Sequence, residues 1–229
     1  MTDEASLDWR EGHVPVSRRF GDPYFSVLDG LAETRHVFLD GNDLTRRFED
    51  GETERFAVGE LGFGTGLSFL ACWQHFVELA PPSARLDFTS FEIAPLTRGA
   101  MFRALSRWPE LKPRIDALLG AWTGPGVIEF GRVRLEVIDG DARRTLPAWP
   151  GMADAWFLDG FAPARNPEMW EPALLRAVFA HTGPGGSCAT YSAAGAVRRG
   201  LSEAGFRMFK RPGFGTKRDM LIGRRPAAG

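Results

Sequence analysis

The chain has 229 residues, of which 44% are hydrophobic, enough for one well-packed domain with a small appendage. Its formal net charge of −1 excludes a strong overall attraction for polyanions, and no apolar run is long enough to span a membrane. Residues 1–4 are polar and unlike a signal peptide. Cys72, Cys188 and the four histidines form no metal-binding spacing. We therefore expect a cytoplasmic protein with free thiols, no metal and no membrane partner.

Residues 1–52 lack a helical period and contain several prolines and glycines. They are predicted to form an N-terminal extension of short strands and turns, with strands at 24–27 and 37–39. Residues 53–229 are predicted to form one α/β domain. Its predicted strands lie at 56–61, 86–91, 133–138, 154–158 and 186–191, and its predicted helices at 66–79, 96–108, 168–181 and 193–204. Residues 110–130 are expected to form a looser, partly helical insertion.

The last two predicted strands, at 206–210 and 219–223, are joined by a connection too short for a helix. We therefore expect an antiparallel strand at one edge of the sheet. Alternation along the rest of the chain predicts a mainly parallel sheet covered by helices on both faces. This Rossmann-like, seven-stranded arrangement resembles that of class I S-adenosylmethionine-dependent methyltransferases, although a fold alone does not fix a function.

A glycine-rich loop, GELGFGTG at residues 59–66, follows the first strand of that domain. Glycine admits positive φ and the close approach of a ligand, and the mouth of a parallel sheet is where such folds bind ligands. The dinucleotide fingerprint would need glycine in place of Leu67, and the ending of a phosphate-binding loop is absent. An acid before the loop favours a cofactor with a cationic amino acid end, most plausibly S-adenosylmethionine. The residues expected to hold it are Glu60, Gly62, Phe63, Gly64, Thr65 and Gly66; the alternative is a tight turn without a ligand.

Two further carboxylates end predicted strands. Glu92 follows the second strand, where it could bind ribose hydroxyls, and either Asp139 or Asp141 could accept a hydrogen bond from an adenine amino group after the third. We favour Asp141, because Asp139 continues the alternation of its strand. Each acid alone could be an exposed strand end, but three at successive strand ends favour a nucleoside cofactor.

A second motif, LDGFAPARNPEMW at residues 158–170, follows the fourth strand of the domain and should line the crevice over the cofactor. Asp159 is the candidate to orient and deprotonate an amine acceptor at the cofactor. Asn166 could hold the acceptor nitrogen, while Phe161 and Trp170 could stack on a base. The alternative is structural: Asn166 starts a helix, and the two aromatic residues belong to the core.

The C-terminal part of the chain is basic, although the net charge of the whole chain is close to zero. Residues 198–225 contain nine basic and two acidic side chains, a net charge of +7. Such a local concentration is consistent with nucleic-acid contact or with a solvated face and tail, and charge alone does not separate the two.

Nearly the whole chain, from about residue 9 to 224, resembles the MnmC-type tRNA methyltransferases. The motifs that carry the resemblance are DPYFS at 22–26, GLAET at 30–34, ELGFGTG at 60–66, FE at 91–92, WPEL at 108–111, DAWFLDGFAP at 154–163, NPEMW at 166–170, AAGAVRRGL at 193–201 and GFGTKRDML at 213–221.

The resemblance implies S-adenosylmethionine-dependent N-methylation of 5-aminomethyl(-2-thio)uridine at the tRNA wobble position. It also implies that the anticodon loop is contacted by Arg198, Arg199, Lys217 and Arg218. Bifunctional members add an FAD-dependent oxidoreductase domain. We expect no FAD here, because no second glycine fingerprint is present. The oligomeric state is open, with a monomer the simpler expectation.

Two other functions remain open from the sequence. One is a methyltransferase or aminopropyltransferase that acts on a small amine. The other is a non-catalytic module that binds S-adenosylmethionine or tRNA.

Overall fold

The structure, a computed structural model, describes residues 6–51 and 54–226. These residues form a small three-stranded sheet and a central eight-stranded sheet. The strands are β1 (Leu7–Arg10), β2 (Val14–Ser17), β3 (Asp22–Pro23), β4 (Arg55–Leu61), β5 (Arg85–Glu92), β6 (Gly126–Phe130), β7 (Val133–Asp139), β8 (Ala153–Leu158), β9 (Thr182–Thr190), β10 (Arg207–Pro212) and β11 (Asp219–Arg224). The α-helices are α1 (Gly30–Thr34), α2 (Leu44–Glu49), α3 (Leu67–Leu79), α4 (Arg98–Leu105), α5 (Lys112–Ala121), α6 (Ala142–Ala148), α7 (Pro172–Ala180) and α8 (Gly195–Ala204).

The central sheet has the order β10-β11-β9-β8-β4-β5-β7-β6. Strands β4, β5, β7, β8 and β9 are parallel, as predicted. The prediction of seven strands was one too few, because β6 pairs antiparallel with β7 inside the presumed loose insertion. The prediction of an antiparallel edge strand also needs correction at the other side. There β11 runs antiparallel between β9 and β10, so the antiparallel strand of the closing pair lies inside the sheet.

Both faces of the sheet are buried along its central strands β4, β5 and β8. On β8, Trp156 and Leu158 pack in a core with α7 and α8, whereas Phe157 between them packs in a second core with α3. Successive side chains of a strand point to opposite faces, so this arrangement requires apolar residues at every position. The continuous apolar run at the end of β8 thus holds this strand in the centre of the sheet, and Asp159 follows it directly.

After residue 53, the helices differ from the prediction in two places. The helix expected at 168–181 is divided into a 3₁₀ turn at Pro167–Trp170 and α7, because Pro172 cannot donate a backbone hydrogen bond. Helix α6, which contains Pro147, was not predicted. Among the described helices, none has the length and apolar character needed to cross a membrane.

The N-terminal strands were predicted at the wrong positions. Residues 37–39 lie in a π-helix, Arg35–Asp40, and all three are buried, so no strand alternation exists there. Residues 24–27 form bends and turns before α1, whose N-terminus is capped by the Asp29 side chain at 3.0 Å from the Ala32 nitrogen. The actual strands are β1 to β3, and helices (α1, the π-helix and α2) form where only short strands and turns were expected. The predicted domain boundary at 52/53 lies outside the described residues.

Candidate active site

A cavity of about 620 Å³ lies over the carboxyl ends of β4, β5, β7 and β8. This volume is in the range of small-molecule sites. Ten of the sequence-predicted site residues line the cavity: Gly62, Phe63, Gly64, Thr65, Glu92, Asp141, Asp159, Phe161, Asn166 and Lys217. Six others do not: Glu60, Gly66, Trp170, Arg198, Arg199 and Arg218.

The glycine loop between β4 and α3 needs its glycines. Gly62, Gly64 and Gly66 have φ values of 92°, 54° and 82°. A Cβ on Gly64 would lie 3.0 Å from the Tyr24 ring, and one on Gly66 would lie 3.0 Å from the Phe63 ring. Larger residues would therefore be strained and would fill the space beside the loop. We call this loop the glycine cradle, because its glycines carry no side chains that would fill the space beside it.

Glu60 lies behind this cradle, near the end of β4. It is fully buried, and neither of its carboxylate oxygens has a hydrogen-bond partner among the described residues. Burial raises the pKa of Glu60 well above its usual range, and the neighbouring Asp159 and Glu92 raise it further, whereas the nearby Ser90 hydroxyl opposes the increase. A buried carboxylate without a partner is costly, and a positive charge placed nearby would offset that cost.

Glu92 ends β5 and lines the cavity beside the cradle. Its carboxylate accepts hydrogen bonds from the Gly64 nitrogen at 3.0 Å and the Ala94 nitrogen at 2.7 Å. Burial raises the pKa of Glu92, while these backbone bonds oppose the increase. Glu92 therefore braces the glycine loop and also lines the cavity.

Asp141 lines the cavity at the start of α6, whereas Asp139 is exposed and does not line it. Asp141 caps the helix by accepting from the Arg143 nitrogen at 3.0 Å, and it forms an ion pair with the Arg143 guanidinium at 2.6 Å. The hydrogen bond from the Arg143 side chain lowers the pKa of Asp141. Of the two acids that the sequence left open, Asp141 is the one that lines the cavity.

Asp159, directly after β8, faces the cavity. Ser68 of α3 donates its hydroxyl to Asp159 Oδ2 at 3.2 Å. Burial raises the pKa of Asp159 well above its usual range, and Glu33 raises it further, whereas Ser68 and Lys217 oppose the increase. A carboxylate with a raised pKa in a cavity is suited to accept a proton near neutral pH.

The loop after Asp159 is fixed by the N-terminal segment. Asp22 accepts a hydrogen bond from the Ala162 nitrogen at 2.9 Å. The Phe161 ring lies 4.9 Å from the Phe20 ring and 5.1 Å from the Tyr24 ring, between centroids. These three rings also line the cavity. The aromatic wall is therefore built from two distant parts of the sequence.

Asn166 and Trp170 have different positions. Asn166 is buried and lines the cavity; it holds the N-cap position of the following 3₁₀ turn, before Pro167, but its side chain makes no capping hydrogen bond. Trp170 is 9% exposed, packs in the core beside α7, and donates its indole N–H to the Phe161 carbonyl at 2.9 Å. Trp170 therefore supports the loop from behind, and the expectation that it stacks on a base does not fit this position.

Residues 109–226, more than half of the chain, match the profile of a family described as S-adenosyl-L-methionine-dependent methyltransferase. The chain belongs to this family.

Similar proteins of known sequence carry a more specific name. The bifunctional protein MnmC of tRNA 5-methylaminomethyl-2-thiouridine biosynthesis is 51% identical in Pseudomonas paraeruginosa and 48% identical in Aeromonas hydrophila, over 96% of this chain in both cases. The chain spans about a third of the length of these relatives, 35% of each.

The crystal structure of MNMC2 from Aquifex aeolicus is similar in fold. The TM-score is 0.77 at 24% sequence identity, over 94% of this chain and 67% of that one. At this identity the likeness supports the methyltransferase fold alone.

The site of this methyltransferase fits S-adenosylmethionine, the cofactor of its family. The cradle has room that Cβ atoms would fill, and the unpartnered Glu60 carboxylate behind it suits a cofactor with positive charges. Glu92 and Asp141 provide acceptors on the lining of the same cavity. Within the described residues, no cluster of three or more histidine, cysteine or acidic side chains could hold a metal ion.

The basic residues of the methyltransferase occupy two kinds of position. Arg198 and Arg199 are exposed on α8, and Arg218 is exposed beside β11. Lys217 instead reaches the cavity, where its ammonium group lies 2.6 Å from Glu33 Oε1. The sequence had grouped these four side chains together, and the fold separates one of them.

Several cavity residues were not identified from the sequence: Phe20, Tyr24, Glu33, Ser68 and Tyr191. A signal existed for some of them, since the motifs DPYFS and GLAET contain Tyr24 and Glu33. The chain has only two tyrosines, and both line the cavity.

Proposed function

We propose that this protein uses S-adenosylmethionine to methylate the amine of 5-aminomethyl(-2-thio)uridine at the tRNA wobble position, giving the 5-methylaminomethyl form. The observation that carries the proposal is Asp159, a carboxylate of raised pKa that faces the cavity beside the glycine cradle. An aromatic wall of Phe20, Tyr24 and Phe161 lines the same cavity. The printed name of the similar proteins supports this substrate.

The Asp159 carboxylate can overcome the chemical difficulty of using an amine as the methyl acceptor. A primary amine is mostly protonated at neutral pH, so its lone pair is blocked until a base removes the proton. Asp159 attracts the ammonium form and takes that proton, while the Ser68 hydroxyl holds the carboxylate. Asn166, which lines the same cavity with its side chain free of a capping role, is assigned to orient the acceptor nitrogen.

When bound, S-adenosylmethionine supplies an electrophilic methyl carbon; the nitrogen–carbon bond forms as the carbon–sulfur bond breaks, and that electron pair stays on sulfur. Much of the catalytic effect in such a displacement comes from alignment and the exclusion of water. The rings of the aromatic wall provide apolar surface for both tasks.

The aromatic wall suits a nucleobase. A uridine in an anticodon loop can be turned out of its stack and placed against aromatic side chains. Base–aromatic stacking is worth roughly 1–3 kcal/mol per base. Phe161 and the two N-terminal rings are assigned this role, and Trp170 is assigned the support of the Phe161 backbone.

Contacts with the rest of the anticodon loop are assigned to Arg198, Arg199 and Arg218. Their side chains are exposed to solvent and carry the positive charge that phosphates attract. Such contacts would make binding weaken steeply with salt. We infer a cytoplasmic location from the substrate, and a monomer suffices for the site, because the aromatic wall and Asp159 come from one chain.

The two alternatives have less support. Membership of a methyltransferase family argues against aminopropyl transfer. A small-amine methyltransferase would not need the exposed arginines, and its activity would be insensitive to salt. A non-catalytic module would not need a buried carboxylate facing the cavity, because an unused buried acid lowers stability.

The deciding experiment incubates the protein with isotope-labelled S-adenosylmethionine and tRNA from cells that lack it, followed by nucleoside mass analysis. We expect one added methyl on 5-aminomethyl(-2-thio)uridine and none on its carboxymethyl precursor. Binding of S-adenosylmethionine without incorporation into tRNA would contradict the proposal and favour a small amine.

A further inference from the structure

Lys217 meets two different partners in the cavity. Its ammonium nitrogen lies 2.6 Å from Glu33 Oε1 and 4.1 Å from the centroid of the Tyr191 ring. Tyr191 is itself fixed, since its hydroxyl donates to the Gly160 carbonyl at 2.8 Å. A carboxylate together with the face of an aromatic ring is a recurring site for an alkylammonium group.

The charges at this place are not balanced by the lysine alone. Glu33 and Asp159 are close enough for Glu33 to raise the pKa of Asp159, and Lys217 acts on Asp159 in the opposite direction. All three side chains line the same cavity. Lys217 thus pairs with Glu33 while its charge also acts on Asp159, and the place suits a cation that can approach both acids.

The side chain of Lys217 can move out of the cavity. Its side chain is 42% exposed, whereas that of Glu33 is 12% exposed. It belongs to the connection between β10 and β11, where its backbone nitrogen donates to the Phe214 carbonyl at 3.0 Å. The backbone is thus held by a local turn, and only the side chain must swing out for the place to become free.

We propose that Glu33, Tyr191 and Asp159 form the subsite for the ammonium group of the acceptor, and that Lys217 occupies it until the acceptor displaces it. The –CH₂–NH₃⁺ end of lysine is chemically the same group as the protonated aminomethyl substituent. Glu33 and Tyr191 select a cationic acceptor, and Asp159 then takes its proton. This inference rests on the proposed amine acceptor, but it does not depend on tRNA.

The test uses the full chain with S-adenosylhomocysteine present, and protonated benzylamine as the probe because it joins a planar ring to an aminomethyl group. Lys217→Met frees the subsite, so we expect calorimetry to show benzylamine binding at least about fivefold tighter than in the wild type. The neutral benzyl alcohol should bind equally to both proteins. Adding Glu33→Gln to Lys217→Met should abolish the gain.

Lys210→Met is the matched control, since this lysine is paired with Asp219 at 2.8 Å and does not line the cavity. It should leave benzylamine affinity unchanged. Benzylamine affinity that is unchanged or weaker in Lys217→Met, with an unaltered melting temperature, would overturn the inference and make the lysine a fixed tie. That result together with normal tRNA methylation would leave the proposed function standing. Tighter benzylamine binding without tRNA methylation would overturn only the tRNA substrate.

Discussion

Ser68 and Asp159 are joined by a hydrogen bond of 3.2 Å, although 91 residues separate them in the sequence. Ser68 lies in the first turn of α3, directly after the glycine loop, and Asp159 follows β8. The bond links the cofactor side of the cavity to the proposed base. Because a donor favours the ionised carboxylate, Ser68 opposes the effect of burial on the pKa of Asp159.

Ser68→Ala should move the pH dependence of methyl transfer. Loss of the donor raises the pKa of Asp159 further, and the base is active only when deprotonated. As pH falls, the variant therefore loses activity at a higher pH than the wild type does. The acidic limb of the kcat/KM profile shifts to higher pH, while the values at high pH stay close to those of the wild type. Glu33, Lys217 and Glu60, the other charged groups coupled to Asp159, are unchanged in this variant.

The control for that profile is Ser106→Ala, which removes an exposed hydroxyl that donates to the Arg103 carbonyl outside the cavity. It should leave the acidic limb in place. An unshifted limb in Ser68→Ala would contradict the assignment of Asp159 as the base.

Asp159→Asn should reduce turnover by about 10²–10⁴-fold, the usual contribution of a general base. The affinity for S-adenosylmethionine should change little, because the amide keeps the size of the carboxylate. Rapid-quench kinetics and calorimetry measure the two quantities separately. Asp139→Asn, an exposed acid that does not line the cavity, should leave both unchanged. Full turnover in Asp159→Asn would favour the non-catalytic module.

Glu60→Gln should stabilise the protein without cofactor as pH rises. Burial raises the folded-state pKa of Glu60 above its unfolded value, so the wild type loses stability as pH rises from the unfolded pKa towards the folded one. The slope of this single contribution is about 1.4 kcal/mol per pH unit in that window. Urea unfolding of both proteins across acidic to neutral pH measures the difference.

The same substitution should weaken S-adenosylmethionine binding, because it removes the negative charge behind the glycine cradle. A decrease of about tenfold corresponds to the loss of roughly 1.4 kcal/mol. Unchanged affinity, measured by calorimetry at neutral pH, would show that Glu60 has only a structural role.

Gly64→Ala should abolish cofactor binding and destabilise the fold. Its φ of 54° costs a residue with a Cβ roughly 1–2 kcal/mol, and the added methyl would press on the Tyr24 ring. Gly99→Ala is the matched control, because this exposed position in α4 has nothing within 4 Å of an added Cβ. It should stabilise the protein by about 0.5–1 kcal/mol and leave binding intact. Thermal unfolding with and without S-adenosylmethionine distinguishes the two variants.

The parallel part of the fold could be predicted because its signals are local. Apolar runs such as Trp156 to Leu158 define strands buried on both faces, and glycines mark the loop that follows β4. The strand predicted at residues 37–39 was wrong. Val37 to Leu39 are apolar because they are buried in a π-helix, and a short apolar run does not distinguish that from a strand. The eighth strand was missed since β6 is mostly exposed and depends on pairing with β7.

The sequence by itself determined the glycine loop, the acids at the strand ends and the Asp159 motif, because each is a short run with its own backbone or chemical requirement. Only the tertiary structure decided which of these residues share a cavity. It placed Trp170 behind the wall, put Asp141 rather than Asp139 on the cavity lining, and set Lys217 against Glu33 across 184 residues of sequence. Such contacts depend on how the elements pack, and no periodicity or spacing within one segment encodes them.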